Sequence, residues 1–200
     1  PSSTPTRTKR SSTPAKSRKR TRTISTTSEP PARAVVGLAL GANRPDALVQ
    51  IALVLRRLAA ALGPLRVAPL YRSAPLPPAT GADFLNTVVL AESDLAPEAV
   101  LALAKRLEAL AGRRPAPRGA DRPLDIDLLF HGAARRDDPE LTLPHPGLRR
   151  RRFVLAPLAD LAPDLPLPPD GVTPRALLAA LPPGQRAERW PPPGEEPAAR

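Results

Sequence analysis

Between residues 34 and 164 the hydrophobic positions change period several times, and each change marks an element. AVVGLAL (34–40) is a short apolar, β-branched run and predicts a buried strand. GAN follows it as a turn. In ALVQIALVLRRLAAAL (47–62), Leu48, Ile51, Leu55, Leu58 and Leu62 recur at spacings of three and four. That spacing predicts a helix with one apolar stripe, stopped by Gly63-Pro64. LRVAPLYRS (65–73) predicts a strand whose Pro69, lacking an N–H, implies an edge or a bulge. A Pro/Gly loop (74–83) leads into a strand, FLNTVVLAES (84–93). PEAVLALAKRLEALAG (97–112) predicts a second helix. Pro97 suits its first position, Glu98 its positive end and Gly112 its C-terminal cap. Val100, Leu103, Leu107 and Leu110 form its stripe. An Arg/Pro/Gly loop (113–123) and a strand, LDIDLLF (124–130), follow. Residues 141–164 give a short extended piece, a basic turn and an apolar helix. The order β-α-β-β-α-β is the split βαβ arrangement, so the predicted class is α/β (α+β) with a ferredoxin-like core. Its four-stranded sheet is mostly antiparallel and flanked by helices.

Composition sets the limits of this domain. The chain of 200 residues suffices for one core, placed over 34–181. It has no cysteine, which excludes disulfides and thiolate metal sites. No run of 18 apolar residues occurs, so no helical membrane span is expected. The net charge of +11 suggests nucleic acid until its distribution is read. Residues 1–33 hold nine Lys/Arg and one acid, a net of +8. The rest holds 21 basic and 18 acidic residues, a net of +3. The basic segment is Ser, Thr, Pro, Lys and Arg with one aliphatic residue, Ile24, and is expected to be disordered. It could act as a nucleic-acid tether, a transit peptide or a solubilising extension. Residues 182–200, Pro-rich around Trp190, are also expected to lack regular structure.

DRPLDIDLLF (121–130) carries the candidate chemistry. On a strand, Asp125 and Asp127 share one face while Leu124, Ile126 and Leu128 take the other. Two carboxylates about 6.5–7 Å apart repel by about 2.5 kcal/mol at an effective dielectric of 20. Solvent on an edge strand, arginine partners, or a divalent cation would each relieve this. Hard carboxylate oxygens suit Mg²⁺ shared with substrate phosphates. Arg113, Arg114, Arg118 and Arg122 precede the pair, and Arg149 to Arg152 follow His145. Guanidinium forks beside carboxylates suit a metal–polyphosphate site. No Walker loop, G-x-G-x-x-G or G-x-S-x-G is present, so phosphate handling would rest on arginine and metal.

ALGAN, YRSAPL, DFLNTVV, RLEALAGR, RPLDIDLLF and LTLPHPGLRRRRFVLAPLADLAPDL occur in the order that resembles the 6-hydroxymethyl-7,8-dihydropterin pyrophosphokinase family of folate biosynthesis. The resemblance covers about residues 34–170. It implies a ferredoxin-like domain that binds ATP with two Mg²⁺ and transfers pyrophosphate to the pterin hydroxymethyl group, releasing AMP. Asp125 and Asp127 fall where the family holds magnesium. Asn86 falls where an amide reads the pterin edge, and Phe84 and Phe153 where aromatics sandwich the ring. Ser73, Ala74 and Leu76 fall on the loop that contacts the pterin. Arg113 and Arg122 match arginines of the catalytic loop and nucleotide site. His145 and Arg151 match a phosphate histidine and an arginine that assists transfer. Glu108 matches an acid of the nucleotide site, and Lys105 stands where glutamine is frequent.

The chain departs from the family in places. Ala42 replaces the usual serine of the first turn. The 113–123 loop is a residue short, with Pro115 where a second arginine is frequent and Gly119 or Ala120 where tryptophan is. Glu140 stands where an arginine occurs in relatives. The expectation is a cytoplasmic, monomeric enzyme acting on ATP and the pterin, without membrane or nucleic-acid partners. A weakened pterin- or nucleotide-binding relative and a basic-tailed nucleic-acid-binding protein are the alternatives.

Overall fold

The computed structural model describes residues 33–77, 80–114 and 122–191. The basic segment, apart from Arg33, and the centre of the 113–123 loop lie outside the described residues. The elements are β1 (Ala34–Ala42), α1 (Ala47–Leu62), β2 (Leu65–Val67), β3 (Tyr71–Ser73), β4 (Phe84–Ser93), α2 (Pro97–Leu110) and β5 (Asp125–His131). They continue with β6 (Arg136–Asp137), β7 (Thr142–Leu143), α3 (Arg152–Leu161), α4 (Pro174–Ala180) and β8 (Ala187–Arg189). The main sheet runs β5-β1-β4-β3-β8, with β2 also on β4, and every pairing in it is antiparallel. This is the expected ferredoxin-like order with its second strand split in two and a further strand at the edge.

The split has a local cause. Pro69 cannot donate to the ladder. Ala68 N still bonds Val88 O at 2.9 Å, and the Thr87 hydroxyl donates to Ala68 O at 2.8 Å, so the break leaves these backbone groups satisfied.

Two apolar layers cover the sheet. Val36, Leu38, Leu40, Val89, Ile126 and Leu128 meet α1 and α2 on one face. Ala39, Val88, Leu90, Leu129 and Phe130 meet α3 on the other. The β1–β5 register shifts between Gly37 and Leu38. The Phe130 ring lies where a Cβ on Gly37 would be, 2.4 Å from its nearest atom.

The helix stripes sit differently from the expected ones. On α1 the buried residues are Ala47, Ile51, Val54, Leu58 and Leu62, while Leu48 is 43% exposed. On α2, Val100, Ala104 and Leu107 are buried and Leu110 is exposed. Helix α1 is apolar almost all round, and α2 carries more apolar positions than one stripe needs, so several stripes satisfy the 3.6-residue period, and packing selects among them. The α2 helix stops at Leu110, two residues short of its expected end, and Gly112 follows at φ 86. Three elements were not expected: the two-residue β6, which pairs with β7, helix α4 and strand β8. Helix α4 opens on Thr173, whose hydroxyl accepts from Ala176 N, with Pro174 in the first turn. Strand β8 lies in the stretch expected to lack structure; it pairs with β3, and Trp190 N donates to Leu70 O at 2.8 Å.

Candidate active site

The register assembles the site. Gly41 on β1 pairs with Asn86 on β4 and Asp125 on β5, and Asn86 pairs with Tyr71 on β3. Directly paired residues project to the same face. One row therefore crosses four strands on the α3 side, from Asp125 through Gly41 and Asn86 to Tyr71. Asp127 sits in the next row, opposite Ala39. Phe84 and Ser73, paired with each other, extend the same face. Tyr71 ties this face to α3 through a 2.7 Å hydrogen bond to Asp160.

The two aspartates share a face as expected, and each meets guanidinium groups. Arg113 Nη1 donates to Asp125 Oδ1 at 2.5 Å, and Arg122 donates to the other oxygen. Arg151 Nη1 donates to Asp127 Oδ2 at 2.9 Å. Three cations thus balance the like charges on the strand. Arg151 is held in turn: its guanidinium lies 5.7 Å from the Phe153 ring centroid, a cation–π contact. Its side chain also crosses Gly147, where a Cβ would come within 2.5 Å of Nε.

Beside the aspartates lies a cavity of about 480 Å³. Ser73, Ala74, Leu76, Phe84, Asn86 and Phe153 all line it, together with Asp125, Asp127, Arg122 and Arg151. The Asn86 amide nitrogen faces protein, with Ser73 Oγ at 3.0 Å, Phe84 O at 3.2 Å and Tyr71 O at 3.4 Å. The carbonyl oxygen is fixed by the same bonds over Gly41, 3.1 Å from where a Cβ would stand. Glycine at 41 is what leaves room for this amide.

A second cavity, about 230 Å³, opens on the other side of Asp127. His145, Thr142, Leu101, Ile126 and Glu140 are among its lining residues. Asp127 is the one described residue that lines both cavities. His145 accepts a hydrogen bond from Gly147 N at Nδ1, 2.9 Å, which places the ring proton on Nε2. Nε2 is 3.7 Å from Asp127 Oδ2. Burial holds this imidazole below its ordinary range; Asp127 opposes that and Arg151 adds to it.

Glu108 and Lys105 stand apart from both cavities. Glu108 is buried; it accepts from Ile126 N at 2.7 Å and from Arg113. Burial pushes its carboxyl up to about 7, against the lowering by Ile126 N–H and Arg113, with Asp125 adding to the rise. It joins α2 to β5 and orients Arg113. Lys105 is exposed on α2. Pro115, Arg118, Gly119 and Ala120, singled out in the sequence, lie outside the described residues.

Sequence reasoning missed two site residues. Asn43 Oδ1 accepts from Arg122 N at 2.6 Å, and Asn43 N donates to Arg122 O at 3.2 Å. The turn motif GAN carried that signal, since asparagine side chains commonly accept from nearby backbone. Gly147 gives Arg151 its track, and its only trace in the sequence is a glycine between Pro146 and Leu148, just ahead of the arginine run.

A carboxylate pair framed by arginines thus stands between a larger and a smaller cavity on a ferredoxin-like sheet. Residues 37–163 match the family 7,8-dihydro-6-hydroxymethylpterin-pyrophosphokinase (HPPK). The chain belongs to that family. It is 46% identical over 116 residues to the 2-amino-4-hydroxy-6-hydroxymethyldihydropteridine pyrophosphokinase of Pseudomonas aeruginosa, covering 58% of this chain and 71% of that one. The protein of the same description from Methylorubrum extorquens is 38% identical over 149 residues, 73% of this chain and 92% of that one. Among solved structures, wild-type Plasmodium falciparum HPPK-DHPS is similar with a TM-score of 0.59 at 16% identity. That match covers 76% of this chain and 42% of the longer one, and supports the fold alone.

Proposed function

We propose that the larger cavity takes the pterin, the smaller one the nucleotide, and that Asp125 and Asp127 hold magnesium between them. The reaction is that of the family: pyrophosphate passes from ATP to 6-hydroxymethyl-7,8-dihydropterin, giving AMP and the pterin pyrophosphate, in folate biosynthesis. The observation that carries the site reading is the position of Asp127, on the wall common to both cavities. A group transferred between their occupants must pass this carboxylate.

The chemistry divides among the residues. Phe84 and Phe153 offer two faces for a flat ring, and the fixed Asn86 carbonyl accepts from a ring-edge N–H. In the transfer, the hydroxymethyl oxygen bonds to the β-phosphorus and its proton is lost, while the bond from that phosphorus to the α–β bridging oxygen breaks. The bridging oxygen departs with AMP. Such transfer needs positioning and charge neutralisation more than covalent participation. Arg151 and Arg122 bring cationic forks to the phosphates from opposite sides of the carboxylate pair. His145, neutral with its proton on Nε2, is a donor to a phosphate oxygen. Glu108 keeps Arg113 directed at Asp125, and Lys105 contributes only long-range positive charge at the nucleotide side.

The donor set fits magnesium. Among the described residues no group of three or more His, Cys, Asp or Glu could hold a metal ion. Two hard carboxylates on one face are what Mg²⁺ takes from a protein when substrate phosphates complete its shell. Two such ions would supply charge neutralisation at the attacking and leaving oxygens. No described helix is long and apolar enough to cross a membrane. We read the enzyme as a cytoplasmic monomer with small-molecule substrates.

The test is the co-product of ATP turnover with the pterin. AMP is expected; ADP would overturn the mechanism. Calorimetry with a non-hydrolysable ATP analogue and pterin separates an active enzyme from a binding-only relative, since binding without AMP release supports the latter.

A further inference from the structure

We infer that Gln185 is a positioning residue for Arg151, fixing the arginine's backbone from the C-terminal segment so that its guanidinium is aimed at the transferred group. The inference rests on the role given to Arg151 above. Gln185 lies outside residues 37–163, which carry the family match. Its side-chain amide bonds on both sides of Arg151. Oε1 accepts from Arg152 N at 2.8 Å, and Nε2 donates to Arg150 O at 2.7 Å.

The arrangement answers a local need. Arg151 is the N-cap of α3, extended at φ −111 and ψ 112, and makes no side-chain cap bond. The first N–H groups of a helix have no partner within it. Gln185 supplies one to Arg152 from 33 residues away. With the peptides on either side held, Arg151 leaves the backbone in one direction, across Gly147 and toward Asp127. An amide accepts at one end and donates at the other, whereas a carboxylate or an ammonium does only one of these.

The holder is itself held. Just after Gln185, Arg186 pairs with Asp83, next to Phe84. Ala187 pairs with Ser73 on β3. The segment thus spans from the Arg151 wall of the larger cavity to the Phe84 and Ser73 walls. This gives β8 a use beyond closing the sheet edge.

Steady-state kinetics on the full chain test this, with Gln185→Met and Gln185→Glu made alone and together with Arg151→Ala. Gln185→Met is expected to lower kcat roughly 10- to 100-fold, the cost of a charge displaced by about 1 Å. KM for both substrates should stay within about twofold, since the loss falls on the transition state. Gln185→Glu keeps the acceptor and loses the donor, so an intermediate kcat is expected. In the Arg151→Ala background, Gln185→Met should add no further loss, because residues acting through one group are not additive. Additive losses, or wild-type kcat in Gln185→Met, overturn the inference. Should Gln185→Met not fold, Gln185→Glu carries the same comparison. Loss in Arg151→Ala with none in the Gln185 variants sinks this inference alone; wild-type kcat in Arg151→Ala sinks the role of Arg151 as well.

Discussion

Asn43 and Arg122 hold each other by two hydrogen bonds, Arg122 N to Asn43 Oδ1 at 2.6 Å and Asn43 N to Arg122 O at 3.2 Å. The pair joins the turn after β1 to the residue that enters β5. It fixes the backbone from which the Arg122 guanidinium reaches Asp125.

Asn43→Ala is therefore expected to lower kcat by about tenfold through a misplaced Arg122. It should also cost about 1–2 kcal/mol of stability from the lost buried hydrogen bond. Kinetics and urea unfolding check the two effects separately. Unchanged kcat would show that Arg122 needs no such anchor.

Asp125→Ala and Asp127→Ala should each abolish measurable AMP formation, a loss of about 100-fold or more, since charge neutralisation is the main catalytic term. Both should remain folded, because each carboxylate is partly exposed on a strand whose other face stays packed. Magnesium titration of activity and circular dichroism are the measurements. Wild-type turnover in either variant would remove the metal role.

Gly147→Ala adds a Cβ within 2.5 Å of Arg151 Nε. Gly147 has no positive φ, so alanine brings no backbone strain. The expected result is a loss of about tenfold or more in kcat at nearly unchanged thermal stability, as the guanidinium is pushed off Asp127. A wild-type rate would mean that Arg151 can reach its place by another path.

Tyr71 is the only tyrosine, so phenolate absorbance titrates it alone. Burial, then the Asp160 hydrogen bond and charge, push it up to about 12 from 10.0. A raised pKa means the folded state keeps its proton when the unfolded chain has released it. Its stabilisation is full below about pH 10 and is lost as pH rises through about 12. Tyr71→Phe should lose about 1 kcal/mol at neutral pH and show a flatter stability curve in that alkaline window. A phenolate midpoint near 10 would contradict the burial of Tyr71 and its contact with Asp160.

Alternation of apolar residues placed Asp125 and Asp127 on one face, and the 3.6-residue period placed both long helices, because each depends only on neighbours along the chain. The motifs around LDIDLLF, LPHP and the arginine run made the family and its cavity-lining residues legible. The stripe each helix buries was decided by packing, since Leu48 and Leu110 satisfy the period as well as the residues that are buried. Pairing β1 with both β4 and β5 put Asn86, Gly41 and Asp125 in one row, and no local pattern encodes which strands are neighbours. The holding of Arg122 by Asn43, of Arg151 by Gly147 and Gln185, and of β8 on β3 joins residues far apart in sequence or turns on a single missing Cβ. Such contacts exist only once the chain has folded, because they depend on the distance between side chains across elements and not on residue type or spacing.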